Sequence, residues 1–256
     1  MTERVTIALL FPDLLGTYGD SGNAAILAQR LRWRGQPADV ITVTADQPVP
    51  SSCDLYVVGG GEDLPQVLAA RQLGRPGPLH RAVEAGAAVL AVCAGLQILG
   101  TSFVGADGVD ADGLGLLDCR TTRPTRPGAK RAVGELVVEP DTALGVPLLT
   151  GYENHGGITT LGAGAVPIGR VQTGVGNGDG TDGAWAGRVL GSYLHGPVLA
   201  RNPALADLLL SWVVGPLQPL DDLDSEELRS ERLRAAPAEA SDGRRFRGIR
   251  LPLSRP

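Results

Sequence analysis

Ala88-Val89-Leu90-Ala91-Val92-Cys93-Ala94-Gly95-Leu96-Gln97 is the stretch whose reading decides the fold. An unbroken run of small and branched apolar residues ending on a cysteine reads as a strand buried on both faces. The small residues that follow allow a sharp turn into a helical segment. A cysteine at such a turn is lifted out of the sheet, as in the nucleophile elbow of serine hydrolases. The N-terminus of the next helix favours the thiolate, the species that attacks. Cys93 is therefore the candidate nucleophile, and the backbone N–H of Ala94 a candidate donor to a developing oxyanion. A buried cysteine alone is commonplace. Gly95, and the polar Gln97 in an apolar segment, weigh against that plainer reading.

Upstream, Val5 to Phe11, Asp39 to Val43 and Asp54 to Val58 read as strands. They alternate with helices expected over Asn23 to Arg34, Leu64 to Leu73 and Leu79 to Gly86. This rhythm indicates an α/β fold with a mainly parallel central sheet flanked by helices. Gly59-Gly60-Gly61 follows the strand at Asp54 to Val58, where ligands bind in open sheets. Gly60 and Gly61 can therefore turn backbone amides toward a ligand. Downstream, short additional strands are expected over Gly113 to Thr121, Arg131 to Glu139, Leu148 to Tyr152, Ala165 to Thr173 and Arg188 to Leu194. A helix over Pro203 to Val213 closes the domain, assigned to residues 1–219. Residues 220–256 carry an acidic run and then a basic one, and read as a charged, mobile tail. The alternative is a docking arm, helical over Ser225 to Ala236.

With 43% hydrophobic residues the 256-residue chain can build one substantial core. A net charge of −5 argues against a general nucleic-acid binder. Three cysteines, Cys53, Cys93 and Cys119, imply no disulfide framework and suit a reducing cytoplasm. No apolar run is long enough to span a membrane, and no metal site is expected. The only lysine, Lys130, lies in no phosphate-binding Gly-x-x-x-x-Gly-Lys-Ser/Thr loop, so no ATP site is expected.

A nucleophilic thiol needs a proton carrier, and there are three histidines. His80 opens a surface helix. His155 sits in Gly151-Tyr152-Glu153-Asn154-His155-Gly156-Gly157, read as a polar loop and a possible substrate contact. His195, in Tyr193-Leu194-His195-Gly196-Pro197, directly follows a strand and is turned by Gly-Pro, which suits a general base.

Together with Tyr18-Gly19-Asp20-Ser21-Gly22-Asn23 and Gly59-Gly60-Gly61-Glu62-Asp63, these segments resemble the class I (triad-type) glutamine amidotransferases, in particular the cobyric-acid-synthase-like branch. Within it the Tyr-Gly-Asp and Glu-Asn-His-Gly-Gly segments resemble the GatD-type glutaminase subunits of lipid II isoglutaminyl synthase. The resemblance spans roughly residues 5 to 215. It implies a thioester on Cys93, His195 as base, and Gly60, Gly61, Ala94, Gln97, Asn154 and His155 around the glutamine. It also implies an arginine holding the glutamine α-carboxylate. Arg131 is favoured, with Arg123 and Arg126 as contenders. Many triad-type members carry a glutamate two residues after the histidine. Pro197 stands there, so either a Cys–His pair suffices or another acid orients the ring.

Without an ATP site of its own, such a subunit needs a synthetase partner. The resemblance implies a Mur-ligase-like protein, carrying ATP and Mg²⁺, that amidates the D-glutamate α-carboxylate of lipid II in peptidoglycan synthesis. A cytoplasmic heterodimer, brought to the inner face of the membrane through its complex, is the implied setting. Another acceptor, such as a corrinoid precursor, is the alternative.

Overall fold

The computed structural model describes residues 4–105, 107–124 and 130–236. In the first half, β1 (Val5–Leu10), α1 (Gly22–Trp33), β2 (Ala38–Val43), β3 (Leu55–Val58), α2 (Asp63–Leu73), α3 (Pro78–Glu84), β4 (Ala88–Val92) and α4 (Ala94–Leu99) follow the expected alternation closely. The second half adds β5 (Ser102–Val104), β6 (Asp110–Asp112), β7 (Cys119–Thr122), β8 (Ala132–Pro140), β9 (Leu149–His155), β10 (Ile158–Leu161), β11 (Gly169–Thr173), β12 (Thr181–Asp182), β13 (Ala184–Ala186) and β14 (Val189–Ser192). Three helices end it: α5 (Val198–Arg201), α6 (Pro203–Val214) and α7 (Leu223–Ala235).

The central sheet has six strands in the order β13-β14-β4-β3-β1-β2. All its pairings are parallel except the edge pair β13–β14. Every residue of β3, β4 and β14 is buried, as a sheet covered on both faces requires. Leu90 is 0% exposed at the middle of β4, and cutting it to alanine would cost about 2–5 kcal/mol. The chain leaves β1 for β2 on one side and returns to β3 on the other. This reversal opens a crevice at the carboxyl ends of the central strands. The loops after β1, β3, β4 and β14 all emerge at that end, and they carry Asp20, Gly60, Cys93 and His195 respectively.

Two four-stranded sheets, β10-β7-β5-β6 and β12-β11-β8-β9, are built from the second half. Here several expected boundaries change. The strand expected over Gly113 to Thr121 is β7 alone at its end. The N–H groups of Gly113, Leu114 and Leu117 instead bond Thr101, Ile98 and Leu99 carbonyls, wrapping the C-terminus of α4. The strand expected from Ala165 begins at Gly169, because Pro167 has no N–H to pair. The supposed loop at Glu153-Asn154-His155 is the end of β9, paired antiparallel with β8 in the register Ala132↔His155 and Val133↔Asn154.

The charged stretch expected to be mobile begins with α7. Arg30, 3% exposed on α1, bonds both carboxylate oxygens of Asp207 (2.7 and 2.8 Å) and of Asp222 (2.7 and 2.7 Å). Arg229 of α7 is buried and donates to the Leu148 carbonyl. Residues 237–256 lie outside the described residues.

Candidate active site

Cys93 is a residue whose backbone is strained by the turn it makes, with φ 53° and ψ −105°. Such a conformation costs on the order of 1–3 kcal/mol for a side-chain-bearing residue, and the surrounding packing must enforce it. Much of that enforcement comes from Gly95. A Cβ there would lie 2.6 Å from the Val58 carbonyl oxygen, so only glycine lets α4 close onto the end of β3.

Gly60, at the end of the neighbouring strand β3, is constrained in the same way. A Cβ on Gly60 would stand 2.7 Å from His195 Cε1, 3.1 Å from Asp20 Oδ2 and 3.3 Å from Cys93 Cβ. Thiol, imidazole and carboxylate therefore converge around a space that only a glycine leaves open. His195 is held from both sides. Its backbone N–H donates to the Tyr152 carbonyl at 2.8 Å and its carbonyl accepts from the Tyr152 N–H at 3.1 Å. Its Nδ1 meets Asp20 Oδ2 at 3.2 Å, and that same oxygen accepts the Gly60 N–H at 2.9 Å. His195 Nε2 is buried and has no hydrogen-bond partner among the described residues.

The Cys93 thiol is pushed up to about 12, first by burial and then by the Asp20 charge, with the Ala94 N–H and Arg131 opposing. Burial thus favours the protonated thiol over the thiolate at rest. Beside it lies a cavity of about 100 Å³ whose walls include Gly61, Ala94, Gln97, Arg131 and His155. Arg131 sits just before β8, and the β8–β9 register brings it against Asn154. Its Nε donates to Asn154 Oδ1 at 2.6 Å and its Nη2 to the Asn154 carbonyl at 3.1 Å.

Residues 6–203 match the CobB/CobQ-like glutamine amidotransferase domain. The chain belongs to this family. This CobB/CobQ-like amidotransferase is 36% identical over 239 residues to "Lipid II isoglutaminyl synthase (glutamine-hydrolyzing) subunit GatD" of Staphylococcus aureus strain N315, covering 90% of this chain and 95% of the relative. It is 30% identical over 239 residues to the subunit of the same name from Streptococcus pneumoniae strain ATCC BAA-255 / R6, covering 89% and 90%. A crystal structure of a glutamine amidotransferase superposes with a TM-score of 0.56 at 22% identity, over 81% of this chain and 98% of that one, and shares its fold. The chain is accordingly a glutamine-hydrolysing enzyme subunit.

In this amidotransferase, Cys93, Ala94, Gly61, Gln97, Arg131 and His155 line one cavity, with His195 packed at Gly60 and Asn154 bonded to Arg131, but not all are free to meet a ligand. The Gly60 N–H, a candidate oxyanion donor in the sequence, is committed to Asp20. Gln97 accepts from Gln66 Nε2 at 2.8 Å and donates to the Tyr193 hydroxyl at 3.1 Å, tying the helix of the thiol to the strand end of the imidazole. Arg123 forms an ion pair with Asp63 on the rim. Arg126 lies outside the described residues. His80 is structural: its Nδ1 accepts the Gly77 N–H at 3.1 Å and its Nε2 donates to the Leu114 carbonyl at 2.9 Å. Cys53 and Cys119 are buried free thiols.

Asp20 is the residue that the sequence did not single out. It lies inside the Tyr18-Gly19-Asp20 segment, so the signal was present. What was missing was the adjacency of the β1 loop to the β14 end, which only the strand order supplies.

Proposed function

We propose that the chain is the glutaminase subunit of a lipid II isoglutaminyl synthase. It hydrolyses L-glutamine on Cys93 and passes ammonia to a Mur-ligase-like partner, which uses ATP with Mg²⁺ to amidate the D-glutamate α-carboxylate of lipid II. The observation that carries the chemistry is the convergence of Cys93, His195 and Asp20 at Gly60, delivered by adjacent parallel strands. The acceptor is supported by near-full-length similarity to two subunits of that name. The need for a partner is supported by a sequence without a P-loop.

Glutamine lies with its α-carboxylate toward Arg131 and its amide carbon over the sulfur. Asp20 keeps the hydrogen of His195 on Nδ1, so the lone pair of Nε2 faces the thiol. As the S–C bond forms, Nε2 takes the thiol proton and the carbonyl electron pair moves onto oxygen. The Ala94 and Gly61 N–H groups receive that charge. On collapse the C–N bond breaks, His195 returns the proton to the leaving nitrogen, and ammonia departs. Water, deprotonated by the same nitrogen, then attacks the γ-glutamyl thioester. The C–S bond breaks, glutamate leaves and the thiol is restored. No described helix is long and apolar enough to cross a membrane. A lipid-linked acceptor would be reached through the partner, in a cytoplasmic complex at the inner face of the membrane.

The test is glutamine labelled with ¹⁵N in its amide, incubated with the full chain, the co-purifying synthetase, ATP, Mg²⁺ and lipid II. Label should appear in the stem-peptide amide, and Cys93→Ala should stop it. Glutamine left intact by the complex would overturn the glutaminase reading. Hydrolysis without labelled lipid II would overturn the acceptor.

A further inference from the structure

Arg131 does not present an empty fork. Nε and Nη2 form one of the two edges of a guanidinium that can meet both oxygens of a carboxylate in a bidentate pair. Here both are taken by one residue, through Asn154 Oδ1 at 2.6 Å and the Asn154 carbonyl at 3.1 Å. On this edge Asn154 stands where the two oxygens of an α-carboxylate would stand. A carboxylate seated on this edge must displace at least the side-chain oxygen.

The other end of that amide is also held. Asn154 Nδ2 donates to the Tyr18 hydroxyl at 3.3 Å, and the hydroxyl donates to Glu62 Oε1 at 3.1 Å. The Tyr18 ring lies against the His195 ring, with centroids 4.7 Å apart and planes inclined by 54°. Tyr18 is on the same loop as Asp20, which bonds His195 Nδ1. Burial raises the Tyr18 hydroxyl above its ordinary range, and the Glu62 charge adds to that while Arg131 opposes it. The hydroxyl therefore stays a donor at neutral pH. One side chain thus touches the imidazole with its ring and meets the clamp with its hydroxyl, both through Asn154 and through a hydrogen bond with Arg131 itself.

We propose that Tyr18 is a positioning residue that couples filling of the Arg131 clamp by an α-carboxylate to the placement of the His195 ring. This rests on the roles given above to Arg131 and His195. When the carboxylate replaces Asn154 Oδ1, the amide is freed at one end, and the change reaches Tyr18 through its remaining hydrogen bond. Tyr18 then resets the imidazole over the sulfur. The base is thereby aligned when substrate is present. Asp20 and Glu62 are the acidic groups that face His195 and Tyr18, and Arg131 is the basic one.

The test uses the full chain, wild type and Y18F, and reads the rate of Cys93 alkylation by iodoacetamide between pH 6 and 9 by mass spectrometry of the Cys93 peptide. Glycine is the probe, because its α-carboxylate can fill the clamp without a side chain to cover the sulfur. Saturating glycine should change the alkylation rate of the wild type by about twofold or more and move its pH profile. Y18F, which keeps the ring and loses only the bridge, should lose that response. In steady-state glutamine hydrolysis, Y18F should raise KM more than it lowers kcat, whereas Y18L should lower kcat by about tenfold or more. An equal glycine response in both proteins, or none in the wild type, overturns the coupling. A wild type that answers glycine but leaves glutamine intact would overturn the glutaminase reading and leave the coupling standing.

Discussion

Among the described residues two carboxylate–histidine pairs are buried, and they are built for opposite ends. Asp20 with His195 and Glu153 with His155 each place a carboxylate oxygen 3.2 Å from a ring nitrogen. All four side chains are buried. The difference lies in the second nitrogen. His195 Nε2 has no partner among the described residues. His155 Nδ1 is bonded to the Gly157 carbonyl at 3.2 Å, and its ring is stacked on Tyr193 at 3.8 Å. Glu153 is also anchored, accepting the Val175 and Gly176 N–H groups at 2.8 and 2.9 Å. A histidine with both nitrogens engaged has no lone pair left with which to move a proton. A carboxylate partner therefore does not make a base; a ring nitrogen left without a partner can. His155 is a wall of the pocket, whereas His195 keeps one ring nitrogen without a partner among the described residues.

Experiments can break this contrast or sharpen it. Cys93→Ala should abolish glutamine hydrolysis, which sets the floor for every other variant in an ammonia-release assay. His195→Ala should lower kcat by roughly 10² to 10⁴-fold, while His155→Gln should cost less than about tenfold. Equal losses would erase the distinction. Asp20→Asn should lower kcat on the order of 10²-fold by releasing the ring tautomer, and Glu153→Gln should fall well short of that. Arg131→Ala should raise KM for glutamine more than it lowers kcat. Unchanged kinetics would move the clamp to Arg123 or Arg126.

The smallest effect is on stability at alkaline pH. Burial raises the Cys93 thiol from 9.0 to about 12 in the folded chain. Between those values the folded form keeps a proton that the unfolded form has lost, so its contribution to stability is present below the lower value and declines as pH rises through the window. Melting temperature should therefore fall less steeply above pH 9 in Cys93→Ala than in the wild type, by a few degrees at most. Cys119, also raised to about 12, supplies a control thiol outside the pocket.

Much of this site was legible along the chain. The apolar run to Cys93 and the strand before His195 carry their signals locally, because a strand buried on both faces is written as consecutive apolar residues. The motif at Glu153-Asn154-His155 was visible but its conformation was not. Its polar residues and flanking glycines read as a loop, and pairing with β8 makes it a strand. Asp20 was visible only within a motif. Its partner is 175 residues away in sequence, and no local pattern encodes that meeting.

By itself the sequence determined the parallel α/β core, a cysteine at a strand-to-helix turn, and a histidine after a later strand. Each depends on residues that are neighbours in the chain. Only the tertiary structure decided that Asp20 orients toward His195, that the Gly60 amide is committed to holding Asp20, that Asn154 fills one edge of the Arg131 guanidinium, and that both nitrogens of His155 are engaged. Those outcomes depend on strand order and β8–β9 register, which bring distant side chains within hydrogen-bonding distance and thereby settle which polar atoms remain free to act.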